Sequence, residues 1–504
     1  MKKLRPIRRL LIANRGEIAL RIIRACREMG ITPVAVFSDV DRKSLHVLRS
    51  DEAYPLGGSA PRESYLNQAK ILEIAKAASV DAIHPGYGFL AENPNFSDAT
   101  TDAGFVFVGP SGDSIRMMGD KTEARKVARQ LGIPTISGTV EPIRDESDGI
   151  AQANEIGFPI LLKAAAGGGG KGMRIVRSPS EFQGALRLAQ SEAKSAFGDN
   201  RVYMEKYLDS PRHIEMQILA DTAENAIYLG ERECSIQRRH QKVIEESPSP
   251  AVDEELRRKL GEAAVKLARI SHYTGAGTME FLLDSSGKFF FLEMNTRLQV
   301  EHPVTEEVSG MDLVREQIRI AEGYPVSIRQ DQLRLNGHAI ECRICAEDPA
   351  DDFIPSTGIL AQYELPEGRI RVENGFQAGD EISVFYDSLL AKVVSAGATR
   401  SDSITKMKRA LQDFKIQGVK STIPFCLLVL SHEKFIEGDI DTRFVEKHFD
   451  PSSLPKELKE NEATAAIGSV LLAHLASGRK RAPSNGQTES SPSRWRDGRR
   501  EALR

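Results

Sequence analysis

The chain has 504 residues, 40% hydrophobic and 28% charged, with a formal net charge of −3. That composition describes a soluble globular protein with room for about three domains. It excludes a dedicated nucleic-acid binder held by overall charge, and no apolar run of about 18 residues offers a membrane span.

The five cysteines, Cys26, Cys234, Cys342, Cys345 and Cys426, are scattered and odd in number, which predicts a reducing compartment rather than a disulfide framework. Cys342 and Cys345 form one C-x-x-C with no second pair or histidines at zinc spacing, so both are expected as small side chains packed near a strand. The basic start, Met1 to Leu10, passes straight into an apolar strand without a cleavable leader, and the cytoplasm is the expected location.

In chain order, residues 9–13 predict a strand. Asn14 followed by Glu17 has capping-box spacing for the helix that comes next. Ile18, Ile22, Ile23 and Cys26 share one face of that helix, and Gly30 suits its stop. A strand over Thr32 to Phe37, a helix from about Leu66 to Ala77 and a strand over Ala82 to His84 follow. Residues 1–118 thus read as an open, mostly parallel α/β domain. Asp39 and Asp41 lie near the end of the second strand, where a ribose-binding acid would sit. However, Asn14-Arg15-Gly16-Glu17 stands where a dinucleotide site needs G-x-G-x-x-G, so NAD is not expected.

Gly119-Asp120-Lys121 opens a helix ending near Gly132-Ile-Pro134. Residues 120–325 mix strands, helices and a glycine loop, and 335–445 read as a separate α+β piece with a helix near Ser401 to Phe414. From Pro455 the character changes. Asn461 to Ala476 suit a helix, and beyond Gly478 the Ser-, Arg- and Gly-rich composition predicts disorder.

Four segments carry chemistry. In the first, a strand bearing Lys163 runs into Gly167-Gly168-Gly169-Gly170. Such glycines let backbone N–H groups approach phosphate oxygens, although a surface linker has the same composition. In the second, a turn near Ser285 to Lys288 places Glu280 directly opposite Glu293, with Asn295 on the same face. Two carboxylates so placed suit Mg²⁺ or Mn²⁺; a solvated hairpin face is the alternative. In the third, an extended stretch would aim Arg297, Gln299 and Glu301 one way, fitting a small oxyanion and a general base, or a salt-bridged edge. The fourth, Glu233 to Glu246, packs Gln237, Arg238, Arg239, His240 and Lys242 densely, either as an anion pocket or as a charged strand.

Taken together, these segments resemble the biotin carboxylase family of ATP-grasp enzymes. Ile12 to Ala19, His84-Pro-Gly-Tyr-Gly-Phe89, Gly119-Asp-Lys121, Tyr207 to His213 and Gly337 to Arg343 extend the likeness, in order, from about residue 5 to 450. The resemblance implies an α/β (α+β) architecture. It comprises a Rossmann-like N-terminal domain (1–118), an ATP-grasp domain (119–334) with a mobile glycine-rich lid at about 136–208, and a biotin carboxylase C-terminal domain (335–445).

It also implies roles at matching positions. Lys121 and Lys163 would hold ATP phosphates beneath the Gly167 to Gly170 lid, Glu205 and Leu208 would meet adenine, and His213, Gln237 and His240 would make further nucleotide contacts. Glu280 and Glu293, with Asn295 beside them, would bind two Mg²⁺ or Mn²⁺ ions. Lys242, Arg297, Gln299 and the Val300 backbone would bind bicarbonate, Glu301 would deprotonate it, and Arg343 would steady the biotin enolate. The implied reaction makes carboxyphosphate and then carboxylates biotin.

The departures are Ala91 for a common serine and Cys345 for a common asparagine. The biotin-accepting Ala-Met-Lys-Met is absent, as Lys406-Met-Lys-Arg409 does not match it. Biotin is therefore expected on a separate carrier protein, with a separate carboxyltransferase subunit. A homodimer involving Arg24 and Glu28 is expected, and acetyl-CoA, propionyl-CoA or pyruvate as the final acceptor.

Overall fold

The computed structural model describes residues 4–139, 141–164, 173–197, 199–239 and 241–454, and in the tail 467–468, 470–472 and 474. The chain divides into two units, Met1–Leu454 and Pro455–Arg504. The described tail residues are helical and lie inside the stretch expected as a helix. The rest of the tail, including the part expected to be disordered, lies outside the described residues.

Strands β1 (Arg9–Ile12), β2 (Thr32–Phe37), β3 (Glu52–Pro55), β4 (Ala82–His84) and β5 (Val106–Phe107) form a sheet in the order β3-β2-β1-β4-β5. All its pairings are parallel, as expected. Successive residues of a strand face opposite sides. Leu10 and Ile12 accordingly enter one core with Ile18 and Ile22, while Leu11 enters another with Val34, Val36 and Ile83. Both faces of the sheet are thus covered, as parallel sheets require.

The capping box at Asn14 is corrected. The first helix, Gly16–Glu28, has Arg15 at its N-cap with no side-chain cap. The Asn14 amide instead donates to the carbonyls of Pro85 and Tyr87, 2.7 Å each, tying β1 to the loop after β4. Glu17 is left free to point inward. Asp41 is buried against Arg15, Ser38 and Tyr65, a structural role.

A smaller sheet orders β7 (Met173–Val176), β6 (Ile160–Ala164) and β8 (Val202–Lys206), with helices Glu146–Ile156 and Pro179–Phe197 nearby. Gly167 to Gly170 lie outside the described residues. The large sheet holds β9 (Arg212–Ala220), β10 (Ala226–Arg238), β11 (Gln241–Ser247), β12 (Gly275–Leu283), β13 (Phe289–Asn295) and β14 (His338–Cys345), and continues through strands Leu389–Gly397 and Arg371–Asn374. Its order begins β13-β12-β9-β10-β11-β14.

The sequence reading places a domain boundary at residue 335, and the large sheet runs across it. β14 pairs with β11, Ile244 opposite Cys342 and Glu245 opposite Glu341, so one sheet crosses that boundary. Cys342 and Cys345 are free thiols on β14, one buried and one half-buried, as expected. Among the described residues no helix is long and apolar enough to cross a membrane.

Candidate functional site

The site grows from one hairpin. Asp284 and Lys288 close its turn, the Asp284 amide donating to the Lys288 carbonyl at 3.0 Å, and Gly287 takes the positive φ of +82° that the turn needs. The turn pairs Leu283 with Phe289 and Phe281 with Phe291, and a bulge at Leu292 then sets Glu280 opposite Glu293. Phe281, Phe289 and Phe291 pack edge to face in the apolar core. The pairing extends sideways, with Glu280 opposite Glu215 on β9 and Glu215 opposite Arg232 on β10. Arg232, Glu215, Glu280 and Glu293 thus form one charged row across four strands.

Lys242 joins this row through a bulge. Ile236 faces Ile244, but the next residue, Gln237, faces Lys242, leaving Val243 as the extra residue. Without the bulge, Lys242 would share the face of Ile244, which is buried in the apolar core of the C-terminal region. Re-aimed, its Nζ meets Glu215, Glu280 Oε1 at 3.0 Å and Glu301 Oε1 at 2.9 Å.

Glu301 is fully buried at the N-cap of helix His302–Ser309. Arg343 Nη2 donates to its other oxygen at 2.8 Å and Arg343 Nε to Glu245 at 2.6 Å. Arg297 donates to Gln299 Oε1 and Asn295 Oδ1, 3.0 Å each, and to Glu92 at 2.8 Å. Asn295 Nδ2 donates in turn to Glu280 at 2.8 Å. Arg297, Gln299 and Glu301 surround this cluster, but not from an extended strand. The backbone turns at residues 300–301, and that turn delivers Glu301 between Lys242 and Arg343.

The other expected residues gather around the same sheet. Lys121 Nζ is paired with Glu293. Lys163 Nζ lies 2.5 Å from Glu205, which also takes Arg125. His213 Nε2 lies 3.2 Å from Glu280 and 3.4 Å from Glu215. Gln237 donates to the Cys234 carbonyl at 2.7 Å, and the Val300 carbonyl accepts from Lys392. Leu208 is half-buried just after β8. His240 lies outside the described residues.

Sequence reasoning missed Glu215, Arg232, Glu245, Glu92, Tyr87, Glu17 and Lys392. A signal existed for Glu215, because polar His213, Glu215 and Gln217 alternate on an otherwise apolar strand.

Burial pushes the Glu280 carboxyl up, but Lys242 and His213 outweigh it and hold it well below the usual range. For Glu301, burial and Glu215 push upward, while Lys242, Arg343 and Arg232 bring it below the usual carboxylate value. Lys242 is held well above its ordinary value: burial works against its charge, but Glu215, Glu280 and Glu301 prevail. Burial lowers His213, yet Glu280 and Glu215 raise it to about 9.

Glu245 and Glu341 behave oppositely. Among the described residues neither Glu341 oxygen has a hydrogen bond, and burial raises that carboxyl well above its ordinary value and Glu245 to about 7. A raised folded-state value favours folding at low pH and loses that contribution as pH rises through it. Glu341→Gln is expected to fold and to show a smaller loss of melting temperature between pH 5 and pH 9 than the parent chain. Parallel curves would refute a protonated Glu341.

The residues fit a divalent cation. Glu293 Oε2 is buried and, among the described residues, carries no hydrogen bond, with the Lys121 ammonium as its ion-pair partner. Glu280 and Asn295 add hard oxygen donors beside it. Next to this row a cavity of about 290 Å³ is lined by Glu17, Tyr87, Lys242, Val300 and Arg343 among others.

Three family models match the chain: biotin carboxylase N-terminal domain over 6–115, carbamoyl-phosphate synthase L chain ATP-binding domain over 120–329, and biotin carboxylase C-terminal domain over 341–447. Biotin carboxylase 1 of Bacillus subtilis is 50% identical over 444 residues, covering 88% of this chain and 99% of that protein. Biotin carboxylase of a Nostoc species is 51% identical over 440 residues, 87% of this chain and 98% of its own. Among solved structures, the biotin carboxylase domain dimer of Hydrogenobacter thermophilus 2-oxoglutarate carboxylase, in complex with MgADP, ADP and bicarbonate, superposes with a TM-score of 0.85 at 44% identity. That match covers 90% of this chain and 100% of the other.

Proposed function

The chain belongs to the biotin carboxylase family of ATP-grasp enzymes, and from that premise we propose that it makes carboxyphosphate from ATP and bicarbonate and carboxylates biotin carried on a separate protein. The observation that carries this reading is Lys242. One buried ammonium touches Glu280, on the nucleotide side, and Glu301, on the bicarbonate side.

Bicarbonate is a weak nucleophile, and Glu301, ionised at neutral pH, takes its proton. Arg297, Gln299, Lys242 and the Val300 backbone hold the anion. Lys121 and Lys163, paired with carboxylates in the free protein, hold ATP phosphates, with Gly167 to Gly170 as the lid. Glu205 and Leu208 meet the adenine, and His213, Gln237 and His240 complete the nucleotide site. Glu280, Glu293 and Asn295 hold Mg²⁺ or Mn²⁺, which supplies positive charge against the phosphoryl oxygens. Arg343, in the cavity wall, stabilises the negative oxygen of the biotin enolate.

The partners on this reading are a biotin carrier protein, a separate carboxyltransferase and a second copy of the chain across Arg24 and Glu28, in the cytoplasm. The complex serves acetyl-CoA, another acyl-CoA or pyruvate.

The purified chain is expected to cleave ATP only with bicarbonate and faster with free biotin. EDTA should abolish turnover and added Mg²⁺ restore it. Cleavage indifferent to bicarbonate would overturn the reading.

A further inference from the structure

Beneath the cavity sits a buried group that the proposed reaction leaves unused. Gly16 turns the chain at φ +65°, and the helix it opens delivers Glu17 inward, 5% exposed. Glu17 Oε1 accepts from the Tyr87 hydroxyl and lies 3.1 Å from Lys392 Nζ, while its Oε2 carries no hydrogen bond among the described residues. Lys392 is fully buried, and its Nζ also lies 5.7 Å from the centre of the Tyr87 ring. It donates to the Val300 carbonyl at 2.8 Å.

That carbonyl belongs to the peptide leading into Glu301. From the other side, the Gln299 carbonyl is met by His302 Nδ1 at 2.8 Å and by the His302 amide at 3.3 Å. The turn that presents the base is therefore pinned at two successive carbonyls, one of them by a lysine taken wholly out of water. Burying an ammonium is unfavourable unless charge and hydrogen bonds compensate. Here Glu17 supplies the charge, and the carbonyl is the group that gains from the placement.

We propose that Glu17, Tyr87 and Lys392 form a positioning unit that fixes the Val300 peptide, and through it the bicarbonate-binding turn and Glu301, against the biotin cavity. The inference rests on the proposed function, since it assigns the unit to that anion site. These residues act through the turn and are positioning residues, not catalytic ones.

The unit is also tuned near neutrality. Burial raises the Glu17 carboxyl to about 7; Glu373 pushes the same way, and Lys392 and Arg343 oppose it. These groups reach Glu17 from strand Arg371–Asn374, strand Leu389–Gly397 and β14, with Tyr87 approaching from the loop after β4. Protonating Glu17 removes the nearest counter-charge of Lys392, leaving Glu341 and Glu373, and loosens its hold on the turn, so use of bicarbonate should decline as pH falls through about 7.

The test is steady-state ATP cleavage by the full chain with free biotin, alongside thermal melting. Lys392→Met is expected to raise KM for bicarbonate about tenfold and to leave KM for ATP nearly unchanged. Glu17→Gln should remove the inflection near pH 7 from kcat/KM for bicarbonate. Tyr87→Phe keeps the ring, loses the hydroxyl and should raise the same KM less; together with Glu17→Gln it decides the matter if Lys392→Met does not fold. Parallel rises in both KM values, an unmoved bicarbonate KM, or an inflection that survives in Glu17→Gln would each overturn the proposal. An active parent chain with unmoved variants overturns this inference alone, whereas a parent chain without bicarbonate-dependent cleavage overturns the proposed function as well.

Discussion

Glu301→Gln is expected to lower kcat for bicarbonate-dependent ATP cleavage by about 10²- to 10⁴-fold, the usual worth of a positioned proton acceptor. The change keeps the shape and one acceptor oxygen for Lys242 or Arg343, replaces the other oxygen with a donor, and removes the ability to take a proton. In barrier terms that is about 3–5 kcal/mol. ATP affinity should hold, because Glu301 approaches the nucleotide side only through Lys242. The pH dependence follows from the sign of its shift. Glu301 lies below the usual carboxylate range, so the ionised base is present throughout the neutral range. Its contribution to stability is present above the unfolded-state value and is lost as pH falls through the lower folded one. Single-turnover cleavage beside equilibrium ATP binding separates the two effects. Unchanged kcat would remove Glu301 as the base, and a large loss of ATP affinity would make its role structural.

What the sequence made legible was local. The Asp284 to Lys288 turn and the parallel N-terminal sheet follow from neighbouring residues and strand alternation, whereas Glu280 meets Glu293 through a bulge at Leu292. What stayed hidden was carried by distant partners. The Asn14 amide satisfies carbonyls 71 and 73 residues away, and nothing near Asn14 distinguishes that from a cap. The fully buried Arg232 and Glu215 read as ordinary strand charges until β9 and β10 are paired. The join of β11 to β14 was equally illegible, since no composition records which strand edges meet. The bulge at Val243 leaves no mark either, yet it decides which side Lys242 faces. The family resemblance led to Lys242 where periodicity would have turned it into the core.

Lys242→Met is expected to be the most damaging single substitution, in both turnover and stability. The side chain keeps its length and apolar stem, so the loss isolates the charge. Glu215, Glu280 and Glu301 all touch that ammonium and are all buried. Removing one partner from a buried ion cluster costs about 3–5 kcal/mol, because the remaining charges stay desolvated and uncompensated. Arg232 still holds Glu215, and Arg343 still holds Glu301. Glu280 retains His213 as its cationic neighbour and is the carboxylate most exposed to the change. The pH response should change sign. In the parent chain Glu215, Glu280 and Glu301 all sit below the usual carboxylate value, so acid removes stability. In the variant, burial without the ammonium raises at least Glu280 above its unfolded value, and stability should then fall as pH rises. Chemical denaturation of both chains at about pH 3, below the unfolded carboxylate value, and at pH 8 reads this directly. A variant that tracks the parent at both values would mean that solvent, not Lys242, neutralises the row, and the link between the two halves of the site would fail with it.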